Sequence, residues 1–235
     1  QSRERQVNQA FEAEQSPPLN NVLPWAICII AIIFYAYDFM LRITPSVMPH
    51  EIMSAYGLKG SSFGGLMSTY YFIYAPMQLM VGILFDRYNP RYLLPLMGLC
   101  CALGAYLFAS STSFFMAELG RFLIGLGTAF AFIAMLKLAV FRLPRDRFAS
   151  ACGMTVAFGM LGAVIAEVWV SYMMAQLGWK LTHLYLSAFG AVLAFSMLLV
   201  LRFQGKAATA SEPRQTRKLS ELWLDLNALF KQKAL

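Results

Sequence analysis

The stretch "GILFDRYNPR", residues 82–91, places one aspartate and two arginines between two long apolar segments. Residues 67–81 before it and residues 92–117 after it contain no charged side chain. A helix needs about 20 predominantly apolar residues to cross a bilayer, and both flanking segments are suited to that length. The pattern therefore predicts a short charged connection at a membrane surface between two spanning helices.

The composition extends this interpretation to the whole chain. Hydrophobic residues make up 59% of the 235 residues and charged residues only 13%, whereas a soluble domain carries about 25% charged residues. The cysteines lie in or beside apolar runs without the spacing of a metal site or a disulfide framework, so we interpret them as small core residues. They are Cys28, Cys100, Cys101 and Cys152.

Six apolar segments are long enough to span a bilayer, so we predict an all-α polytopic membrane protein. The predicted bundle covers residues 24–202 and follows a polar cytoplasmic tail, residues 1–23. Residues 203–235 are predicted to be a cytoplasmic linker with an amphipathic helix, which either lies on the membrane surface or packs on the protein itself. The predicted spans are residues 24–48, 61–85, 92–111, 114–138, 148–175 and 181–202.

The distribution of lysine and arginine predicts the orientation of these spans. With a cytoplasmic N-terminus, the cations between spans fall almost entirely on the cytoplasmic side, and only Lys59 and Lys180 lie outside. This bias is typical of membrane proteins. It explains the net charge of +7 without a nucleic-acid partner. We expect a multi-pass protein of a bacterial inner (plasma) membrane, with the lipid bilayer as its surroundings.

The first predicted span carries an acid and a base at bilayer depth. Asp38 and Arg42 are four residues apart, so they share a helix face and can pair. Tyr35 lies one turn earlier on that face. Because arginine offers a planar fork to a carboxylate or phosphate, we predict that these three residues bind a polar solute. The alternative is a structural ion pair that only neutralises itself.

Two other spans carry candidate binding residues. Arg121 lies early in the fourth span and is predicted to contact the solute, unless it pairs with Glu118 near the outer interface. Tyr74 and Gln78, on the second span, can line a wet cavity and hydrogen-bond a ligand. Their alternative role is helix packing.

Acidic side chains at bilayer depth are costly and often functional. Asp38 and Glu167, in the fifth span, are therefore candidates for carrying a proton. For Glu167, the alternative is a hydrogen bond to a neighbouring helix. His183, near the start of the sixth span, is interpreted as structural.

The opening stretch resembles the signature loop of the major facilitator superfamily, G-x-L-x-D-R-x-G-R-[RK]. Three further segments resemble that family in the expected order: "RFLIGLGTA" at 121–129, "FRLPRDR" at 141–147 and "GWK" at 178–180. In the loop, Asn89 replaces the second glycine and Pro90 the first trailing basic residue. The residues that match are Gly82, Leu84, Asp86, Arg87 and Arg91.

The resemblance implies the first six-helix half of a twelve-helix transporter, whose missing C-terminal half would complete a central cavity. The sequence shows no metal-ligand cluster, no nucleophile–base arrangement and no phosphate or ATP-binding loop, so we expect a protein that is not an enzyme, needs no cofactor or metal, and draws its energy from gradients. In the family, the loop aspartate helps to close the cytoplasmic side by contacting the second half. The residues that this resemblance assigns to a cytoplasmic gate are Gly82, Asp86, Arg87, Arg91 and Arg142.

The departures in the loop concern its turn. Asparagine can adopt the left-handed conformation that glycine would adopt. A residue before proline, however, is driven towards extended conformations. Proline itself suits the first turn of the next helix. The turn geometry is therefore expected to differ from the family's usual one.

The stretch "LRITPSVMP", residues 41–49, resembles the D-R-x-N-L-S-x-x-x-P region of organic-anion symporters within that superfamily. This resemblance favours a small anionic or zwitterionic organic solute taken up with protons. An exporter of drugs or metabolites is less favoured, because "GMLG" at 159–162 lacks the proline of the drug-antiporter motif. A membrane sensor or scaffold that transports nothing is the second alternative.

Overall fold

The computed structural model describes residues 22–142 and 145–202. Within those ranges it does not describe the side chains of residues 22–25, 86, 141, 142, 145 and 146. The predicted tail up to residue 21 and the predicted linker and amphipathic helix, residues 203–235, lie outside the described residues.

The described residues form helices joined by short connections, as the apolar periodicity predicts. Helices α1 to α5 are followed by α6, a π-helical turn and α7. Their bounds are α1 Val22–Val47, α2 Pro49–Tyr56, α3 Gly60–Arg87, α4 Pro90–Ser110, α5 Phe114–Arg142, α6 Arg145–Ile165, the π turn Ala166–Val170 and α7 Ser171–Arg202.

Four stretches within the described ranges are long and apolar enough to cross a membrane. They are Ala26–Val47, Pro90–Ser110, Phe114–Val140 and the 56-residue stretch Arg147–Arg202. The last stretch is more than twice the length of one crossing. It is broken at Gly178, where φ is 78° and ψ is 161°. Helix α3 is not among the four, so the number of six crossings stays a prediction.

Helix α2 was not predicted from the sequence. Its start carries Pro49 in the first turn, and its end is capped by Gly57 in the left-handed conformation, with φ of 61°. Proline at the start and glycine just past the end are the usual signals of a helix. We overlooked them because the helix has only eight residues and lies between two far more apolar segments.

The helices pack as a bundle in which α4 lies between α5 and α7, while α3 lies against α5. Helix α1 contacts α5, α6 and α7. Helix α5 therefore packs against both α1 and α3. The polar residues of the candidate site come from these three helices.

Two glycines of the "RFLIGLGTA" segment allow α5 to approach both of its neighbours closely. A Cβ atom on Gly125 would lie 2.5 Å from the carbonyl oxygen of Tyr70 on α3. A Cβ atom on Gly127 would lie 2.6 Å from the carbonyl oxygen of Met97 on α4. Because helices in membranes associate through small residues, this spacing of two glycines serves packing on two faces of one helix.

The connection between α3 and α4 consists of Tyr88 and Asn89 alone. Asn89 has φ of −70° and ψ of 124°, an extended conformation, as its position before Pro90 predicts. Its side-chain oxygen accepts a hydrogen bond of 2.9 Å from the backbone N–H of Arg91. The Asn-Pro pair therefore forms the N-cap and first residue of α4, and no left-handed residue is used.

Candidate functional site

Asp38 and Arg42 form an ion pair on α1, as their spacing predicts. Nη2 of Arg42 donates to Oδ2 of Asp38 over 2.9 Å. The two side chains differ in exposure, because Asp38 exposes none of its surface and Arg42 exposes 19%. Arg42 is therefore the member of the pair that a solute can reach.

The hydroxyl of Tyr70, on α3, lies between these two charges. It donates to Oδ1 of Asp38 over 2.8 Å and accepts from Nε of Arg42 over 3.2 Å. Thr128, on α5, donates to the same hydroxyl over 3.0 Å. A phenol offers one proton and two lone pairs, and all three are used here. The hydroxyl thus joins α1, α3 and α5 at one point.

Aromatic rings surround the guanidinium of Arg42. Its Cζ atom lies 4.7 Å from the ring centre of Phe39 and 4.9 Å from that of Tyr74. The Tyr70 ring is stacked on the Tyr74 ring, with 5.5 Å between centres. Tyr35 contacts the Phe39 ring at 5.1 Å and so reaches the site indirectly. Cation–π contacts of this kind orient the guanidinium as well as stabilise it.

A second guanidinium, that of Arg121, also lies over the Tyr70 ring, with its Cζ atom 5.1 Å from the ring centre. It is buried, and Nη1 donates to the carbonyl oxygen of Leu41 over 3.2 Å. No carboxylate of the described residues is in salt-bridge contact with it, and its Nε has no described hydrogen-bond partner. The alternative pair with Glu118 is therefore not formed. The site holds two guanidinium groups and one carboxylate.

Two predicted site residues lie outside this hydrogen-bonded group. Gln78 is partly buried one turn beyond Tyr74 on α3 and adjoins its hydroxyl. Glu167 lies in the π-helical turn, and its side chain is exposed in the described bundle. The hydroxyl of Ser171 donates to the Glu167 carbonyl oxygen. The structure brings Glu167 into no described hydrogen bond with Asp38 or Arg42.

Three residues of the site, Tyr70, Thr128 and Phe39, were not predicted from the sequence. Tyr70 is four residues before Tyr74, so the two tyrosines share a face of α3, and this spacing was a signal that could have been used. Thr128 gave no such signal, because a threonine in an apolar helix usually bonds its own backbone. Its partnership with Tyr70 depends on the close approach at Gly125.

The residues assigned to the cytoplasmic gate remain apart from this site. Arg87 ends α3 and is exposed. Arg91 is partly buried, with its Cζ atom 5.6 Å from the ring centre of Tyr92. Gly82 has open space where a Cβ atom would lie. The side chains of Asp86 and Arg142 are outside the described residues, so the contacts of the gate stay a prediction.

His183 has the structural role that its position predicts. It is buried, its Nδ1 lies 2.8 Å from the Trp179 carbonyl oxygen, and its ring packs on Phe108 with 4.8 Å between centres. Trp179 in turn contacts the Tyr56 ring of α2 at 5.9 Å. These aromatic contacts join α2, α4 and α7 at one end of the bundle.

Comparison with known proteins places this bundle among transporters. A probable sulfoacetate transporter of Cupriavidus necator is 26% identical over 156 residues, which are 66% of this chain and 36% of that protein. An uncharacterized MFS-type transporter of Schizosaccharomyces pombe is 27% identical over 206 residues, 85% of this chain and 44% of that protein. The chain thus spans less than half the length of these relatives.

The fold is similar to that of a bacterial homolog of the human lysosomal transporter Spinster, solved in an inward-facing, unoccupied conformation. The TM-score is 0.68 at 17% identity, over 76% of this chain and 43% of that chain. The family profile described as Major Facilitator Superfamily matches residues 27–235. Together with the apolar helices, this match identifies an integral, multi-pass membrane protein. The chain belongs to the Major Facilitator Superfamily.

Proposed function

We propose that this chain is the N-terminal half of a carrier that moves a small organic anion, or a zwitterion with an anionic group, by alternating access. The single observation that carries the proposal is the charge of the site. Asp38 is shared between Arg42 and Tyr70, while Arg121 has no described carboxylate partner. Among the described side chains, one positive charge is left without a counter-ion in a bundle of apolar helices.

An uncompensated charge at low dielectric strongly favours a bound ion of opposite sign. Arg42 is the partly exposed donor of the site, so the anion would contact Arg42 directly. Arg121 would act on the anion through its electric field and not by direct contact, because it is 1% exposed. Tyr74 and Gln78 would supply polar contacts at the edge of the site, and Tyr35 would form part of its wall.

The relatives support a carrier of this class. The name of the Cupriavidus necator relative specifies sulfoacetate, which carries a sulfonate and a carboxylate. Both groups present oxygens that a guanidinium can hold through two parallel hydrogen bonds. Sulfoacetate is therefore the first probe for this protein, and the size of the true solute follows from testing longer and shorter anions.

Proton coupling is the second part of the proposal. An anion that binds Arg42 competes with Asp38 for the same guanidinium, so uptake of a proton by Asp38 would release Arg42 to the anion. Glu167 is the other candidate, although the described bundle leaves it exposed. Cotransport of a proton with the anion is the arrangement that this competition favours.

The test is uptake of labelled sulfoacetate by the full-length protein in liposomes. An inwardly directed proton gradient should accelerate uptake, and Arg42→Ala should abolish it. Acetate and glycine betaine, at matched concentrations, distinguish a site that requires the sulfonate of sulfoacetate from a site that accepts any small carboxylate. Normal transport by Arg42→Ala would contradict the binding site. An outwardly directed flux that opposes the proton gradient would favour an exporter, and binding without flux a sensor.

The cytoplasmic gate and the orientation complete the proposal. Asp86, at the end of α3, would meet cationic groups of its own half and the start of a helix in the second half. Gly82, Arg87, Arg91 and Arg142 would support that contact on the cytoplasmic side of a bacterial inner membrane. Fusion of a reporter that is active only in the cytoplasm to the N-terminus tests the orientation, and an inactive reporter would reverse it.

A further inference from the structure

We propose that Tyr70 is a positioning residue: its buried hydroxyl holds the Arg42 guanidinium in the arrangement that receives the anion. This inference rests on the proposed function, since it concerns the same site. Tyr70 itself exposes none of its surface. It therefore cannot contact a solute in this conformation and would act through Arg42.

The hydrogen bonds of the Tyr70 hydroxyl carry the argument. Arg42 donates a hydrogen bond from Nη2 to Asp38 and another from Nε to Tyr70, so two positions of the guanidinium are fixed at the same time. Loss of the Asp38 contact, when an anion binds or Asp38 takes a proton, would leave Tyr70 as the described acceptor that still holds Nε. The guanidinium would then keep its plane and present its remaining donors to the anion.

The hydrogen bond from Thr128 determines the acceptor to which the Tyr70 hydroxyl donates its proton. Thr128 donates to Tyr70 over 3.0 Å, a shorter contact than its 3.4 Å approach to the Gly125 carbonyl oxygen. With one lone pair taken by Thr128 and the other by Arg42, the phenol proton is directed to Asp38. The group is a directed chain from Thr128 through Tyr70 to Asp38, and it crosses three helices.

The neighbouring tyrosine provides a matched control. Tyr71 is 52% exposed, and its hydroxyl makes no hydrogen bond within the described residues. The change from tyrosine to phenylalanine removes the same atom at positions 70 and 71. Thr128→Val and Thr128→Ser form a second matched pair, because only the serine retains a hydroxyl for Tyr70.

The experiment compares these variants in the full-length protein in liposomes, with sulfoacetate as the probe. Tyr70→Phe should raise KM about tenfold, since a hydrogen bond to a charged group is lost, and should leave the maximal rate within about twofold. Tyr71→Phe should change neither value. Thr128→Val should raise KM about threefold, and Thr128→Ser should restore it.

A second measurement needs no transported solute. Labelling of Arg42 by phenylglyoxal, followed by peptide mass spectrometry, should be at least about threefold faster in Tyr70→Phe, because the guanidinium loses the acceptor of its Nε hydrogen bond. Tyr71→Phe should label at the wild-type rate. Equal labelling of Arg42 in Tyr70→Phe and wild type would overturn the inference.

The outcomes separate the inference from the proposed function. Wild-type protein that neither binds nor moves sulfoacetate, acetate or glycine betaine counts against the proposed function, and the labelling rates then decide the role of Tyr70. Wild-type transport with an unchanged KM in Tyr70→Phe overturns the inference alone. A fall in melting temperature and maximal rate, with KM unchanged in both Tyr70→Phe and Thr128→Val, shows a structural role and also overturns it.

Discussion

The candidate site and the "GILFDRYNPR" connection both carry an aspartate with arginines, yet their surroundings differ. In the site, Asp38 is fully buried and its partners come from α1 and α3, with Thr128 of α5 behind them. In the connection, Arg87 is exposed, and the described cap is local to Asn89, Pro90 and Arg91. Charges in the site are positioned by tertiary packing, whereas the turn of the connection is built by neighbours in the chain.

This difference has an energetic consequence. A buried charge that loses its partner is left uncompensated, which costs several kcal/mol. An exposed charge at a membrane surface is hydrated, and its loss costs little stability. Substitutions in the site should therefore alter binding and folding together, and substitutions in the connection should alter mainly the rate of conformational change.

The largest expected effect is that of Arg42→Ala. Removing the guanidinium takes away the proposed anion contact and leaves Asp38 buried without its cation, so binding of sulfoacetate should weaken at least about 30-fold. Binding is measured by calorimetry on the full-length protein. Lys180→Ala, which removes an exposed cation of α7 that is not part of the candidate site, is the control.

A double variant sharpens this test. Asp38→Asn combined with Arg42→Ala removes the uncompensated charge, so it should recover thermal stability without recovering binding. Recovery of both stability and binding would mean that Arg42 serves only to neutralise Asp38. The ion pair would then be structural, and the candidate site would not bind the solute through Arg42.

The next largest effect is expected for Gly125→Ala. Its Cβ atom would lie 2.5 Å from the Tyr70 carbonyl oxygen, so α5 and α3 must separate, at a cost of about 1–3 kcal/mol. Thermal unfolding in detergent measures the loss. Gly64→Ala is the matched control, because a Cβ atom there meets nothing within 4 Å. Equal melting temperatures for the two variants would show that close approach at Gly125 is not required.

Asp86→Asn tests the connection. We expect the transport rate to fall about tenfold, equivalent to about 1.4 kcal/mol in the barrier, while the affinity for sulfoacetate is unchanged. The physical reason is the loss of a carboxylate that the gate needs on the cytoplasmic side. Glu51→Gln, an exposed acid in α2, serves as the control. A changed affinity at an unchanged rate would place Asp86 in the binding site instead.

The smallest effect is expected for Asn89. Asn89→Ala removes the cap of α4 and should cost about 1 kcal/mol, whereas Asn89→Gly should cost only a few tenths of that. Both values come from melting temperatures. A variant with glycine that is more stable than wild type would indicate a left-handed turn and contradict the extended conformation of Asn89.

Much of the fold could be predicted from local properties of the chain. Helices α1, α3, α4 and α5 begin and end within a few residues of the predicted spans, because long apolar runs must form helices to satisfy their backbone in lipid. The last two predicted spans, residues 148–175 and 181–202, instead form one helical stretch that is broken at Gly178, so the end of α6 and the start of α7 each differ from the predicted bounds by ten residues. Helix α2 was missed because its eight residues contribute little to any hydropathy average. Helix α3 is not among the four apolar stretches, since its many small and polar residues lower its mean hydropathy.

The site was predicted less completely. The pair Asp38–Arg42 follows from a spacing of four on one helix, and the structure forms it. Tyr70 and Thr128 lie on other helices, 28 residues after Arg42 and 58 residues after Tyr70. No spacing within one helix can show such partners, because their meeting depends on how closely two helices approach.

The sequence by itself determined the membrane class, the family and the ion pair on α1. These properties depend on composition, on motifs in order, and on the periodicity of one helix. Only the tertiary structure decided that the Tyr70 hydroxyl joins three helices, that Arg121 is buried without a described carboxylate partner, and that Arg42 is the partly exposed donor. The physical reason is that apolar burial selects which segments become helices, whereas close packing at Gly125 selects which polar groups meet.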